Sequence, residues 1–444
     1  MIKQLIAKFS DKESRSSLYL VGAQLSFTLT ILFVDIFLAR KVSEVQFGYW
    51  KQFMLAVNVL VPMFAFGLPE GYKYFSALEE EKENKHFWNV TILLSCLGIV
   101  LFIIFFFLGG EILNLFTEIG DYQEIVLVIP VLFVLLMLSN LFRFRYINHH
   151  SVKDYFIGFI LGAICYLIIF GAFHFKLLLV SNFTLFISCS FLGNHLVKVV
   201  YFLVDAIKSI EFNITVEDVK RYLSYGIPLF VSSFIAIITL NTDKTIVSKF
   251  SSIEDFALFS IGAKEVPLIS LVSTSFAQAI FPSLVKAYAD GNASLAKSKW
   301  INLTKKISII VYPIILILMI GGEYIVVYLF GDKYLGAVPI FKVYLLVILW
   351  RNNYYGGLLA ASGKTKWITF YGLLAMLFNL GISYFFYQMY GPIGVAYGTL
   401  ITVSFVNILQ MSHEKILLDY TKDFLLRPEI LLLIGAIISS FLLL

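Results

Sequence analysis

Residues 88–108 read WNVTILLSCLGIVLFIIFFFL, a continuous run without a single Asp, Glu, Lys or Arg. An α-helix rises about 1.5 Å per residue, so about 20 apolar residues cross the hydrocarbon core of a bilayer. Similar runs recur along the chain, which is 59% apolar and only 14% charged, with a mean hydropathy of +0.86. Too little polar surface remains for a chain of 444 residues surrounded by water. The sequence therefore predicts an all-α integral membrane protein.

Twelve membrane spans are predicted, followed by a shorter thirteenth apolar run. Their approximate ranges are 17–39, 50–68, 88–108, 125–144, 155–175, 178–204, 225–247, 256–281, 303–329, 338–360, 367–388, 393–411 and 428–444. When the N-terminus is placed in the cytoplasm, 23 Lys and Arg residues fall on the cytoplasmic side and seven on the outer side. This excess follows the positive-inside rule. We expect a multi-pass membrane protein with a cytoplasmic N-terminus.

The chain repeats its landmarks after about 210 residues. Corresponding pairs are Asp35 and Asp243, Pro69 and Pro282, and Tyr155 and Trp367, with offsets of 208, 213 and 212. Each half holds six spans, so both halves enter the membrane from the same side. The prediction is two six-helix bundles related by a parallel pseudo-two-fold repeat. The predicted domains are an N-lobe over 1–212, a C-lobe over 213–412 and an extension over 413–444. The sequence leaves open whether this extension contains a short thirteenth span.

Basic side chains inside apolar runs are the candidates for binding a substrate, since charge in a membrane usually faces a cavity. They are Lys264, Arg351 and Lys198. Arg351 offers forked donors suited to phosphate oxygens, or it snorkels at the cytoplasmic end of its span. Lys198 shares a helix face with Asn194 and lines a cavity, or it belongs to a structural network between the lobes.

Three acids are candidates for a cavity charge or for ion coupling: Glu265, Asp35 and Asp243. Glu265 adjoins Lys264 on the predicted span 256–281, where neighbours point about 100° apart. At least one of the two is therefore expected to face a cavity, unless both have polar partners on neighbouring helices. Asp35 and Asp243 hold equivalent repeat positions, where a carboxylate carries a coupling proton or cation, or caps structure near the outer surface.

Motifs of enzymes and metal sites are missing from the sequence. There is no P-loop, HExxH or GxSxG pattern, and the three cysteines lie in apolar runs without metal-ligand spacing. The net charge of +5 is too mild to suggest nucleic acid. The charged run EEEKENK at 79–85 is predicted to be a solvated loop. We expect no enzymatic activity, metal or cofactor; a gradient of H⁺ or Na⁺ is the candidate energy source.

Several segments resemble a known family in order and spacing. They are ARKVSEVQFG (39–48), GLPEGYKYF (67–75), YLSYGIPLFVSS (222–233), the pair Asp243–Lys244, FPSLVKAY (281–288), LFGDKYLGA (329–337), LLAASGKTK (358–366) and YGPIGVAYGTL (390–400). Over residues 10–412 the chain resembles the polysaccharide or O-antigen flippases (Wzx-type) of the multidrug/oligosaccharidyl-lipid/polysaccharide (MOP) exporter superfamily.

The resemblance implies a MATE-like fold with a central cationic cavity, in which Arg or Lys holds a pyrophosphate. It implies a place in a bacterial inner (plasma) membrane, and transfer of an undecaprenyl-pyrophosphate-linked oligosaccharide from its cytoplasmic to its outer leaflet by alternating access, for O-antigen, capsule or exopolysaccharide. The expected partners are this lipid-linked substrate, membrane lipids, and the polymerase and glycosyltransferases of the same pathway. The alternatives are an ion-coupled drug or metabolite antiporter, which would favour an acidic cavity, and a membrane enzyme such as a sugar-lipid polymerase.

Overall fold

A computed structural model describes residues 12–115, 126–148, 151–174, 183–264, 266–351 and 356–442. Within these ranges the chain is helical and contains no β-strand. The helices are α1 (Lys12–Lys41), α2 (Glu44–Met63), α3 (Leu68–Leu78), α4 (Glu83–Asn114), α5 (Val128–Asn148), α6 (Val152–His174), α7 (Phe183–Ala206), α8 (Val216–Phe250), α9 (Ile253–Gly262), α10 (Pro267–Ala289), α11 (Ala293–Phe330), α12 (Val338–Arg351), α13 (Gly356–Ala361), α14 (Thr365–Tyr390), α15 (Pro392–His413), α16 (Leu417–Tyr420) and α17 (Pro428–Leu442).

Most of these helices are candidate membrane spans. In the described part of the chain, ten helices are long and apolar enough to cross a bilayer, and the number rises to 12 if each of two bent helix pairs is one span. One bent pair joins α2 to α3 at 51°, and the other joins Leu417–Leu425 to α17 at 88°. The predicted all-α membrane fold is therefore confirmed. The second pair lies in the C-terminal extension, where the thirteenth run was expected.

The predicted single span over 256–281 is wrong, because the chain breaks there. Helix α9 ends at Gly262, and α10 begins at Pro267. Val266 is extended, with φ −86° and ψ 105°. A proline disfavours the helical conformation of the residue before it, which explains the break. Lys264 therefore lies in non-helical backbone and not a third of the way into a continuous helix.

Two compact units make up the chain, Met1–Phe234 and Ile235–Leu444. The division falls inside α8, whereas the sequence suggested lobes that meet at residue 212; the lobe boundary stays a prediction. A backbone contact holds the start of α8 in the first unit. A Cβ atom at Gly67 would lie 2.2 Å from the carbonyl oxygen of Gly226, and one at Gly226 would lie 2.1 Å from the carbonyl oxygen of Gly67. Only glycine permits so close an approach.

The second unit has a comparable close contact between α14 and α15. A Cβ atom at Gly394 would lie 2.1 Å from the carbonyl oxygen of Phe386, and one at Gly398 would lie 2.5 Å from Cα of Ser383. Small residues four apart let helices in a membrane approach in this way.

The C-terminal extension packs against α11. The ring of Trp300 lies 5.8 Å from that of Tyr420, and the ring of Tyr312 lies 6.4 Å from that of Phe424. Helix α17 has 15 residues. At about 1.5 Å per residue it is shorter than the roughly 30 Å hydrocarbon core of a bilayer.

Candidate functional site

The buried acid of the first unit is Asp35 on α1, which is 1% exposed. Two of its partners come from α2. Trp50 Nε1 donates a hydrogen bond to Asp35 Oδ1 at 2.8 Å, and Lys51 Nζ forms an ion pair with the same oxygen at 2.7 Å. Lys51 itself is mostly buried, with Nζ 5.2 Å from the centre of the Phe47 ring. A buried carboxylate is thus neutralised by an adjacent ammonium.

The repeat-equivalent acid of the second unit is Asp243 on α8, which is 2% exposed. Tyr344 on α12 donates its hydroxyl hydrogen to Asp243 Oδ2, and the backbone N–H of Lys244 donates to Oδ1 at 2.7 Å. No basic side chain in the described ranges forms an ion pair with this carboxyl group. The two acids therefore have the same depth of burial and different electrostatic partners.

Lys264 lies in the break between α9 and α10 and is half-buried. Its Nζ is 5.9 Å from the ring centre of Phe330, the last residue of α11. Glu265, its neighbour and the third candidate acid, lies outside the described residues. A broken helix leaves backbone polar groups available, and in membrane transporters such breaks line cavities.

Arg351 is the last residue of α12 and is half-buried. It stands two helical turns after Tyr344, the hydrogen-bond donor of Asp243, and the spacing of seven places both on one face of the helix. Lys264 contacts Phe330 of α11 and Arg351 belongs to α12, and their role in binding stays a prediction.

Lys198 on α7 is 1% exposed and lies inside the first unit. Its Nζ is 4.9 Å from the ring centre of Phe27 and 4.5 Å from that of Phe159. In this arrangement the ammonium is closed off from bulky ligands. The expectation that Lys198 meets a lipid-linked pyrophosphate stays a prediction that this burial does not favour.

A polar cluster at the start of α4 was not predicted from the sequence. Glu83 is 5% exposed and accepts hydrogen bonds from the hydroxyl of Tyr72 and, at 2.9 Å, from Nη1 of Arg145. Nη2 of Arg145 donates to Asn84 Oδ1 at 2.8 Å and to Ser209 Oγ at 3.0 Å. The prediction that the run 79–85 is wholly solvated is therefore wrong, because Glu83 is buried against partners that are distant in sequence.

The same region fixes the segment that connects α7 to α8. The side chain of Asn89 donates to the backbone of Asn213 and accepts from it, each at 3.1 Å. Glu79 pairs with Arg221 at the start of α8. The hydrogen bond from the guanidinium lowers the pKa of Glu79 to about 2. The cluster thus attaches the beginning of α8 to the first unit.

A cavity of about 730 Å³ lies at the end of α11, beside the turn that follows it. Its lining includes Glu323, Tyr324, Tyr328 and Asp332. The two tyrosines are 80% and 77% exposed. Exposed tyrosines at the end of a span are typical of the membrane–water interface. None of the candidate site residues lines this cavity.

Comparisons with known proteins agree with this architecture. A family model described as "Polysaccharide biosynthesis protein" matches residues 37–339. The teichuronic acid biosynthesis protein TuaB of Bacillus subtilis (strain 168) is 24% identical to the chain over 198 residues. That match covers 44% of this chain and 39% of TuaB, so the chain spans about two fifths of the length of this relative.

Two solved structures share the fold. An inward-facing multidrug resistance MATE family transporter of the MOP superfamily superposes with a TM-score of 0.71 at 15% identity, over 89% of this chain and 96% of that one. The lipid II flippase MurJ in an inward closed conformation superposes with a TM-score of 0.70 at 17% identity, over 96% of this chain and 97% of that one. At these identities the likeness concerns the fold.

Proposed function

Because this chain belongs to the polysaccharide biosynthesis protein family, we propose that it is a flippase for a lipid-linked oligosaccharide. It moves an undecaprenyl-pyrophosphate-linked sugar from the cytoplasmic to the outer leaflet by alternating access, for the assembly of a surface polysaccharide. The family match over 37–339 is the observation that carries the proposal. The fold shared with transporters and with a lipid flippase supports it.

The pyrophosphate is held by Lys264 and Arg351 in this proposal. Lys264 stands in a broken span, and Arg351 is the last described residue of α12. A diphosphate carries about two or more negative charges, and cationic partners offset the cost of bringing it into a partly dehydrated site. Charge-assisted hydrogen bonds add roughly 1.5–3 kcal/mol each.

Alanine variants test this site. Lys264→Ala and Arg351→Ala should abolish or sharply reduce delivery of sugar to the outer surface at unchanged protein level. Lys264→Arg should retain activity because the charge remains, whereas Arg351→Lys should be poorer because the fork is lost. Lys366→Ala, at an exposed lysine, is the matched control and should transport normally. Normal export by both alanine variants would move the substrate site elsewhere.

Energy comes from a gradient of H⁺ or Na⁺ in this proposal, and Asp243 is the coupling group. The carboxyl is buried, and its side-chain partner in the described ranges is a neutral hydroxyl. A proton or Na⁺ would compensate its charge. Asp35 already has an ammonium beside it, which supports a structural role.

The orientation in the inner membrane follows from the distribution of Lys and Arg, with the N-terminus in the cytoplasm. Ser252 caps the start of α9 and Ser294 lies at the start of α11, and both are exposed. Cysteines at these two positions should be labelled from opposite sides of the membrane, with position 252 labelled from outside. Labelling from one side would contradict this orientation. The partners are the polymerase and glycosyltransferases that consume and supply the lipid-linked sugar.

A further inference from the structure

The interior of the first unit contains buried polar groups without hydrogen-bond partners among the described residues. Among them are Nζ of Lys198, both ring nitrogens of His195 and Nδ2 of Asn194. The three side chains are 1–2% exposed. Buried polar atoms are nearly always satisfied, so an unpartnered group of this size indicates a missing partner, either water or an ion.

These groups are gathered around one place between α1, α6 and α7. Nζ of Lys198 lies 4.9 Å from the ring centre of Phe27, and the ring of His195 lies 5.8 Å from the same ring. Asn194 and Lys198 are one helical turn apart and both meet Gly162 on α6. A Cβ atom at Gly162 would lie 2.6 Å from Oδ1 of Asn194 and 2.8 Å from Cγ of Lys198. The glycine thus keeps the space in which the two side chains lie.

Most of the unpartnered atoms of the cluster are donors. A charged ammonium has three N–H groups, a carboxamide two and an imidazole at least one. In the part of the chain that the structure describes, Lys198 has no ion-pair partner. Two aromatic rings flank the ammonium at 4.5 and 4.9 Å, and their faces stabilise its charged form. An anion is the ligand that complements several N–H donors around one positive charge, because it accepts their hydrogen bonds and balances the charge.

We propose that Asn194, His195 and Lys198 form a binding site for a small monovalent anion of the halide class. One ammonium balances one negative charge, and the tight packing against Gly162 and two phenylalanine rings favours a monatomic ion. A lipid diphosphate carries more charge and more bulk than this enclosed place accepts. The site is independent of the proposed transport of sugar, and it lies wholly within the first unit.

Thermal unfolding of the purified full-length chain in detergent tests the site. The salts are sodium chloride, sodium bromide and sodium gluconate at equal ionic strength. Chloride and bromide should raise Tm saturably, on the order of 2 °C at a few times Kd, relative to gluconate. Lys198→Met should abolish this halide dependence. Lys342→Met, which removes a buried lysine of the second unit, is the matched control and should keep it.

Two outcomes would overturn the proposal. Absence of a halide effect in the wild-type chain would mean that water satisfies the donors or that the amine is uncharged. A halide effect that persists in Lys198→Met would place the anion elsewhere. If Lys198→Met does not fold, Asn194→Leu replaces it. Loss of one donor should raise the halide concentration of half-maximal effect about 10-fold, and an unchanged concentration would likewise contradict the site.

Discussion

Asp35 in the first unit and Asp243 in the second hold equivalent repeat positions and are almost equally buried, at 1% and 2% exposure. Asp35 lies against an ammonium, whereas Asp243 accepts a hydrogen bond from a tyrosine hydroxyl. Substitution of Lys51 would take away a positive charge beside a buried carboxylate, whereas substitution of Tyr344 would take away a hydrogen bond and no charge. The comparison teaches that two buried acids related by a repeat need not share a role.

The largest effect is expected from Lys51→Met in the first unit. This substitution removes the ammonium that lies 2.7 Å from Asp35 and should lower the free energy of unfolding by about 3–5 kcal/mol. Thermal or denaturant unfolding in detergent measures the loss. The double variant with Asp35→Asn should recover most of it, because the uncompensated charge is then gone. If Lys51→Met is as stable as the wild-type chain, the ammonium does not stabilise Asp35, and the proposed difference between Asp35 and Asp243 is wrong.

A somewhat smaller effect is expected for Glu83, which accepts one hydrogen bond from a neutral hydroxyl and another from a charged guanidinium. Arg145→Met removes the cation and should cost about 2–3 kcal/mol, since Glu83 is slightly more exposed than Asp35 and keeps the hydrogen bond from Tyr72. Tyr72→Phe removes only the hydroxyl and should cost about 1 kcal/mol. Equal losses in the two variants would show that the kind of partner does not decide the cost.

Asp243→Asn should change stability by only about 1 kcal/mol, because the amide oxygen still accepts from the backbone N–H of Lys244, the amide N–H can donate to the hydroxyl oxygen of Tyr344, and no cation is orphaned. The same variant should lose the dependence of transport on an imposed H⁺ or Na⁺ gradient. Uptake of the lipid-linked sugar by inverted vesicles, with and without the gradient, measures this. The Asp35→Asn, Lys51→Met double variant is the control and should keep gradient dependence if it folds. If gradient dependence is lost in the double variant and retained in Asp243→Asn, Asp35 and not Asp243 is the coupling group.

The smallest effect belongs to the partly exposed pair of Glu79 and Arg221. Glu79→Gln should cost about 0.5 kcal/mol, as for other exposed ion pairs. The pKa of Glu79 is lowered from 4.5 to about 2, so the contribution is present above pH 4.5 and is lost as the pH falls toward 2. The difference in Tm between wild type and Glu79→Gln should therefore vanish at low pH. A difference that grows on acidification would contradict the direction of this shift.

The sequence alone predicts the all-α membrane fold. A long uncharged run such as 88–108 satisfies its own backbone hydrogen bonds inside a bilayer by forming a helix. It also predicts that Asp35 and Asp243 hold corresponding positions, and both are buried in the structure. Hydropathy did not predict the break before Pro267, since residues 256–281 remain largely apolar across the break. A proline inside the run was the available signal.

The partners of buried charges could not be predicted. Glu83 lies in a charged run that is typical of a solvated loop, and it is buried because Tyr72 and Arg145, 11 and 62 residues away, converge on it. The enclosure of Lys198 by Phe27 and Phe159 likewise depends on three helices. Hydropathy and periodicity report the environment of a helix face, whereas a specific ion pair depends on which helices become neighbours.

The backbone contact between Gly67 and Gly226 has a consequence for biosynthesis. When a ribosome has delivered the first six spans and stops at residue 212, Asn89 and Glu79 still lack their partners Asn213 and Arg221. The first unit can complete its fold only after the chain has been synthesised to about residue 234. A nascent chain therefore carries an unfinished first unit while the seventh span enters the membrane, and a stable N-terminal fragment has to include the first half of α8.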